Sequence, residues 1–371
     1  MSKSFIYVLI STFLLVLGTY ISGTILTPYA KDMGATWLQI GILSGGMYVI
    51  RLILGTPIGK LADKKGTLTI LKYSLLLYPF IAVAYFFAGN IYLLMCARLL
   101  HGIASAMMLP MGMAYVGHIS PEGEEGKYMS IYNLIVILAS GIGPMLSTLI
   151  ADYFKYKATF LLLFILAFLA LIVIRLSNED NNKIHINRSN LKEISHKGRK
   201  IDHVKIIGLR ESEGLIALGF ANIALAVVSS LVGFFLVPFL EGKGVDLKYT
   251  GSFIAIFFLV SGVIQIPLGK LIDRHNKNLA TVISGFGTAV ALIIFPLTDN
   301  MIILTVGMIL TALMSASFLT TVSSLSVLIG RKQGMGNTMG LLSTVNSAGM
   351  FFGCVSLSLI PGKGNKFETK T

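Results

Sequence analysis

"GKLADKKG", residues 59–66, interrupts a chain that is otherwise strongly apolar on both sides, and nearly the same stretch returns as "GKLIDRHN" at residues 269–276. The two copies stand 210 residues apart, and that one offset holds well beyond them. Pro28 meets Pro238, Gly34 meets Gly244, Gly41 meets Gly251 and Pro57 meets Pro267. Farther on, Gly126 meets Gly336, Met129 meets Met339 and Gly143 meets Gly353. Chance matches between apolar residues are common in apolar chains. Glycines, prolines and an aspartate matching at one ungapped offset indicate an internal duplication.

What is duplicated follows from composition. Of the 371 residues, 54% are hydrophobic and 13% charged, against about 25% charged in a soluble domain, and the mean hydropathy is +0.79. Membrane-spanning stretches need about 20 apolar residues each, with the backbone satisfied internally, so helices are expected. Eleven are predicted, at roughly 5–29, 36–58, 68–89, 91–117, 128–151, 157–176, 213–239, 248–268, 279–297, 300–328 and 337–360. The first is too long for a signal-peptide core and is read as a retained helix. The long polar segment divides the chain into a six-helix bundle (1–176), a cytoplasmic linker (177–211) and a five-helix bundle (212–371). Within the linker, a short amphipathic piece near 191–207 either lies on the membrane surface or is plain flexible chain.

The net charge of +13 does not indicate nucleic acid, because the basic residues lie between spans. Lys60, Lys64, Lys65, Lys127, Arg274, Lys277, Arg331, Lys332 and the basic residues of the linker fall on one side. Lys31, Lys155, Lys157, Lys243 and Lys248 fall on the other. The richer side is expected to be cytoplasmic, and with it the N-terminus. Cys96 and Cys354 lie in apolar segments, and the six histidines form no metal-spaced pair, so no disulfide framework, metal site or cofactor is expected. Paired acids and Ser/His/Asp sets are missing from the spans, which argues against a membrane enzyme.

The repeated stretch carries a resemblance. Gly59, Asp63, Lys64 and Gly66 match the G-x-x-x-D-[RK]-x-G signature between helices two and three of the major facilitator superfamily, and Gly269, Asp273 and Arg274 repeat it. Thr67 and Leu68 stand where the family has further basic residues. In helix four, "ARLLHGIASA" resembles the family's R-x-x-Q-G, with Arg98 and Gly102 matching and His101 in place of glutamine. In helix five, Gly141, Gly143 and Pro144 resemble the core of the G-x-x-x-G-P-x-x-G pattern of the drug-efflux antiporter branch, with Ser147 at the terminal glycine position. The resemblance runs over residues 1 to about 360. It implies two pseudo-symmetric helix bundles, secondary transport by alternating access, and a gating role for the loop motif in the outward-open state. It also implies a multidrug-type, proton-coupled efflux antiporter of the cell membrane, acting as a monomer among membrane lipids on a small-molecule substrate.

The residues themselves give local expectations. Asp63 is placed to cap free N–H groups at the start of helix three. Arg98, His101, Ser105 and Met108 recur at helical spacing and share one face. Arg98 lies about 10 Å in from the outer surface and Arg51 about 12 Å in from the inner, at about 1.5 Å per residue. Both are candidates for the substrate or proton pathway, as are His101 and Ser105; Arg51 is equally able to snorkel. Pro144 is expected to bend helix five. All seventeen acids lie at span ends, in loops or in the linker, which disfavours a lipophilic cation and favours a neutral, amphipathic or anionic solute.

Two other readings stay open. One is an importer or facilitator of a small organic anion using Arg98 and Arg51; the other is a non-transporting scaffold or a truncated, inactive transporter. The offset puts the partner of helix six at about 367–386, while the sequence stops at Thr371, so a twelfth helix is expected to be missing.

Overall fold

The computed structural model describes residues 3–177, 211–232, 236, 239–240, 247–294, 297 and 300–359. Among them stand eleven long helices and no strand. These are α1 (Lys3–Asp32), α2 (Trp37–Lys65), α3 (Thr67–Phe87), α4 (Ile91–Ile119), α5 (Glu125–Phe154), α6 (Tyr156–Arg175), α7 (Glu211–Ser230), α8 (Leu247–Arg274), α9 (Lys277–Ile294), α10 (Met301–Gln333) and α11 (Met335–Leu359). Ten are long and apolar enough to cross a membrane. Nearly all of the linker, the amphipathic piece expected near 191–207, and the chain beyond residue 359 lie outside the described residues.

The helix ends depart from the sequence expectation in one instructive way. "GKLADKK" is not a turn: it completes α2, and Gly66 alone, at φ 94°, separates α2 from α3. Likewise Gly269 to Arg274 complete α8, and only residues 275–276 intervene before α9. Charge ends the apolar run but not the helix, since lysine, alanine and leucine are all good helix formers. The break comes where glycine supplies a positive φ at no steric cost. Both aspartates are therefore held on helices.

In the first half, α1 packs on α5 and α6, α2 on α4, and α3 on α4 and α6. In the second, α7 packs on α10 and α11, while α8 and α9 pack on α10. Between the halves, α2 runs along α11 and α5 along α8, with α4 and α10 touching in the middle. The duplication offset converts the α2–α11 pair into the α8–α5 pair. The end of the bundle carrying Gly66, residues 275–276 and Gly334 is called the latched end below. Near it an apolar cluster joins the halves, with Phe5, Ala114, Val116, Met129 and Tyr132 from one and Val327, Met335 and Met339 from the other.

Candidate functional site

Three of the helices that begin at the far end supply their own caps. Thr36 and Gln39 form a capping box on α2, Asn90 accepts from Leu93 N–H on α4, and Asn300 accepts from two N–H groups of α10. At the latched end, α5 has no cap from its own side chain at Glu124; its free N–H groups are satisfied from the other half. Asp273 accepts from the N–H of Gly126 at 2.7 Å and of Lys127 at 2.8 Å. Asp63 accepts from the N–H of Gly336 at 2.7 Å and of Asn337 at 2.8 Å. Each carboxylate occupies the capping place of a helix in the opposite half, at the positive end of that helix's dipole. Asp63 therefore caps α11, not α3 as the sequence led us to expect. The N-terminal position of α3 is Gly66, which has no side chain to offer.

Glycines bring the helices close enough for this. A Cβ on Gly59 would meet the Gly336 carbonyl and lie 3.1 Å from the Gly340 Cα, and one on Gly340 would lie 2.5 Å from the Gly55 carbonyl oxygen. At the other crossing, a Cβ on Gly269 would meet the Ser130 hydroxyl and lie 2.6 Å from the Gly126 carbonyl oxygen. Lys64 and Arg274, the basic residues of the motif, are exposed.

A charge cluster surrounds the Asp273 cap. Glu125, 1% exposed, receives Lys277 Nζ at 2.6 Å and Arg331 Nη1 at 2.6 Å. Lys277 also lies 3.4 Å from Asp273, and Arg331 donates to the Ser120 carbonyl and hydroxyl. Three elements of the second half, α8, α9 and α10, are thus tied to the start of α5.

At mid-depth the predicted pathway residues lie near one another but turn to different partners. Arg51 reaches across to the other half: its Nη2 donates to Ser343 Oγ on α11 at 3.3 Å, and its guanidinium carbon lies 6.0 Å from the Tyr48 ring centre. Thr56 and Thr344 make a second contact between the halves at 3.1 Å. Arg98 turns to α2, where Nε donates to the Leu43 carbonyl at 3.3 Å. His101 is fully buried, with Nδ1 3.1 Å from the Tyr85 hydroxyl and its ring edge-on to Tyr78 and Tyr85 of α3. Ser105 bonds the Gly102 carbonyl of its own helix. The shared face of α4 is thus divided between α2 and α3, with Ser105 turned back on its own helix.

On α5, Gly141 faces α8, where a Cβ would lie 3.1 Å from Phe258 Cβ. Gly143 faces α1, where a Cβ would lie 2.5 Å from Tyr20 Cβ. Ser147, which replaces a glycine of the pattern, donates to the Ile21 carbonyl at 2.6 Å. Pro144 is carried inside an uninterrupted helix.

Sequence reading missed Glu125, Lys277, Arg331 and Ser343. It also passed over Gly55 and Gly340, although Gly55/Gly59 and Gly336/Gly340 are two glycine pairs at the four-residue spacing of close helix contacts. Among the described residues no group of three or more His, Cys, Asp or Glu is placed to hold a metal ion.

The sequence profile of the Major Facilitator Superfamily matches residues 8–354. An uncharacterised MFS-type transporter of Methanocaldococcus jannaschii is 26% identical over 365 residues, covering 97% of this chain and 92% of that one. The quinolone resistance protein NorA of Staphylococcus aureus is 30% identical over 151 residues, 40% of this chain and 39% of NorA. Among solved structures, the proton:xylose symporter XylE bound to 6-bromo-6-deoxy-D-glucose superposes with a TM-score of 0.77 at 14% identity, over 98% of this chain and 89% of that one. The human organic anion transporter MFSD10 superposes with a TM-score of 0.74 at 13% identity, over 97% and 95%. At these identities the two structures speak for the fold alone.

Proposed function

This chain belongs to the Major Facilitator Superfamily of membrane transporters, and from that premise we propose that it exports small amphipathic organic solutes across the cell membrane by alternating access. The observation that carries the alternating cycle is the pair of caps supplied across the halves. The first-turn N–H groups of α5 and α11 are satisfied by Asp273 and Asp63 while the halves meet at the latched end. Separating the halves there returns those groups to water. By the lysine and arginine bias the latched end is cytoplasmic and so is the N-terminus. The structure then corresponds to a state closed to the cytoplasm. The bundles 1–176 and 212–371 move as the two halves about the linker 177–211, in a monomer surrounded by lipid.

Export is supported by the glycines of α5, which hold it against α1 and α8 at Gly143 and Gly141, and by the partial similarity to a quinolone resistance protein. Proton coupling is part of the proposal. Expression in drug-sensitive cells tests it: dye accumulation should fall, and a protonophore should restore it. Unchanged accumulation across a dye panel, with the protein present in the membrane, sinks the export reading. A second reading, uptake of an organic anion, is favoured by Arg51 and Arg98 lying inside the spans with no acid of the described residues at that depth. Uptake of a labelled organic acid into proteoliposomes would establish it instead.

A further inference from the structure

Two buried polar atoms at mid-depth in the first half, Arg51 Nε and His101 Nε2, have no hydrogen-bond partner. Such atoms are rare in folded proteins, and each calls for a partner the structure does not supply. They are close together. Gly102 packs against Ile50, where a Cβ would lie 2.8 Å from Ile50 Cβ, so His101 and Arg51 sit at one level. His101 in turn lies 5.3 Å from the Tyr78 ring, centre to centre.

Arg51 is the informative member. A guanidinium presents Nε–H and one Nη–H of Nη2 along a single edge, spaced to match the two oxygens of a carboxylate. Here Nη2 makes one 3.3 Å bond to a serine hydroxyl, and Nε on the same edge makes none. A hydroxyl satisfies one of two parallel donors; an oxyanion satisfies both. The cation also lacks a carboxylate at its depth. Every Asp or Glu on the described helices lies within three residues of a helix end. A fixed positive charge with an open two-donor edge, in a low-dielectric interior, is matched by an anionic ligand.

We propose that the anionic head group of an amphipathic solute, a carboxylate or sulfonate, binds between α2 and α11 on the Nε–Nη2 edge of Arg51, in exchange for Ser343 Oγ. The inference rests on the transporter reading above and names the solute class for it. The exchange replaces a bond between the halves by a bond to cargo, so occupancy loosens the α2–α11 contact where the solute sits.

The test uses the full chain in phosphatidylcholine nanodiscs, where no lipid anion competes. Binding of tritiated naphthalene-1-sulfonate is measured directly, and competition by the uncharged naphthalene-1-sulfonamide is measured beside it. Wild type should bind the sulfonate saturably, with the sulfonamide competing at least about tenfold more weakly, as expected for loss of a charge-assisted pair. Arg51→Gln should weaken sulfonate binding by about tenfold or more. Arg51→Lys should fall between, because it keeps the charge and loses the fork. Ser343→Ala should tighten sulfonate binding severalfold and leave sulfonamide competition unchanged. The proposal is overturned by absent sulfonate binding to wild type, by equal competition from the sulfonamide, or by undiminished binding in Arg51→Gln. Should Arg51→Gln fail to fold, Ser343→Ala decides: unchanged affinity removes the exchange. Saturable sulfonate binding without dye export in cells would leave this site standing and remove the export reading alone.

Discussion

At the α2–α11 crossing the halves meet through bare backbone: Gly55 and Gly59 lie against Gly336 and Gly340, and Asp63 caps the helix just beyond. At the α5–α8 crossing the same offset substitutes Gln265 for Gly55 and Ser130 for Gly340, keeping only Gly126 and Gly269. The caps themselves are alike, at 2.7 and 2.8 Å on both sides. Their surroundings are not. Glu125, Lys277 and Arg331 around the Asp273 cap correspond to Met335, Thr67 and Pro121 around the Asp63 cap. Met335 is buried against Gly117 and Gly330, where Glu125 gathers two cations. Duplication kept the device that needs geometry, a carboxylate across a helix start, and let the supporting contacts diverge into a packed crossing and an ionic one. The two should therefore fail in different ways.

The largest effect is expected at the packed crossing. Gly59→Val places its new atoms against the Gly336 carbonyl and the Gly340 Cα, all backbone that cannot rotate aside. Overpacking by even a methylene costs about 1–3 kcal/mol, and valine adds more. Transport should fall to background with the protein still in the membrane. Spin labels on Lys65 and Asn337, with Cys96 and Cys354 replaced by serine, should report a widened α2–α11 distance. Normal transport by Gly59→Val would show that the glycine contact is incidental.

At the ionic crossing the matching change is Glu125→Gln. It leaves Lys277 and Arg331 facing a neutral amide. Removing one partner of a fully buried ion pair costs about 3–5 kcal/mol. Lys277 and Arg331 side chains are 14% and 22% exposed, so about 1–2 kcal/mol is expected, a factor of roughly 5–30 in the population closed at that end. Labels on Glu122 and His275 should move apart while the α2–α11 pair stays close. Widening of both pairs equally would mean that the two crossings open as one unit and that their difference has no mechanical meaning.

How much of this was legible in the chain can be traced residue by residue. The offset relates Asp63 to Asp273 in the sequence alone, because glycine and aspartate at a close crossing tolerate no drift. Their partners were hidden, because capping rules look only along the chain: Asp63 is three residues from Gly66, while the helix it caps begins 272 residues later. Periodicity puts Arg98, His101 and Ser105 on one face of α4, yet spacing says nothing about which neighbour a face meets. Arg98 donates to the Leu43 carbonyl of α2, and His101 meets Tyr85 of α3. Glu125 looked like an ordinary acid at a helix start, and only its burial between Lys277 and Arg331 marks it out.

The caps should respond more gently, and alike. Asparagine at position 63 or 273 keeps an oxygen for one N–H and loses the charge at the helix dipole. Each of Asp63→Asn and Asp273→Asn should weaken its cap by about 1 kcal/mol. In the proposed cycle that slows transport of every solute severalfold and leaves their ranking unchanged. A reordered substrate ranking at a preserved rate, measured by counterflow in proteoliposomes with a solute panel, would move these aspartates from the latch to the substrate site. A much larger loss at Asp273 than at Asp63 would show that the caps are as unequal as their surroundings.

The smallest effect is expected where a charged side chain stands beside a cap without belonging to it. Lys127 gives Asp273 its backbone N–H, while its ammonium pairs with Glu124 at 2.6 Å on the surface, the two side chains 39% and 45% exposed. Exposed pairs of this kind contribute about 0–1 kcal/mol. Lys127→Ala should change both transport rate and thermal stability little, within about 0.5 kcal/mol, because the main-chain donor stays in place. Lys127→Pro removes that donor, and the first turn of a helix tolerates proline, so it should mimic Asp273→Asn in slowing all solutes alike. Together the pair asks whether the latch reads the backbone or the charge. If Lys127→Ala slows transport as much as Lys127→Pro, the ammonium is part of the ionic crossing, and the contrast drawn between the two crossings extends to a third cation.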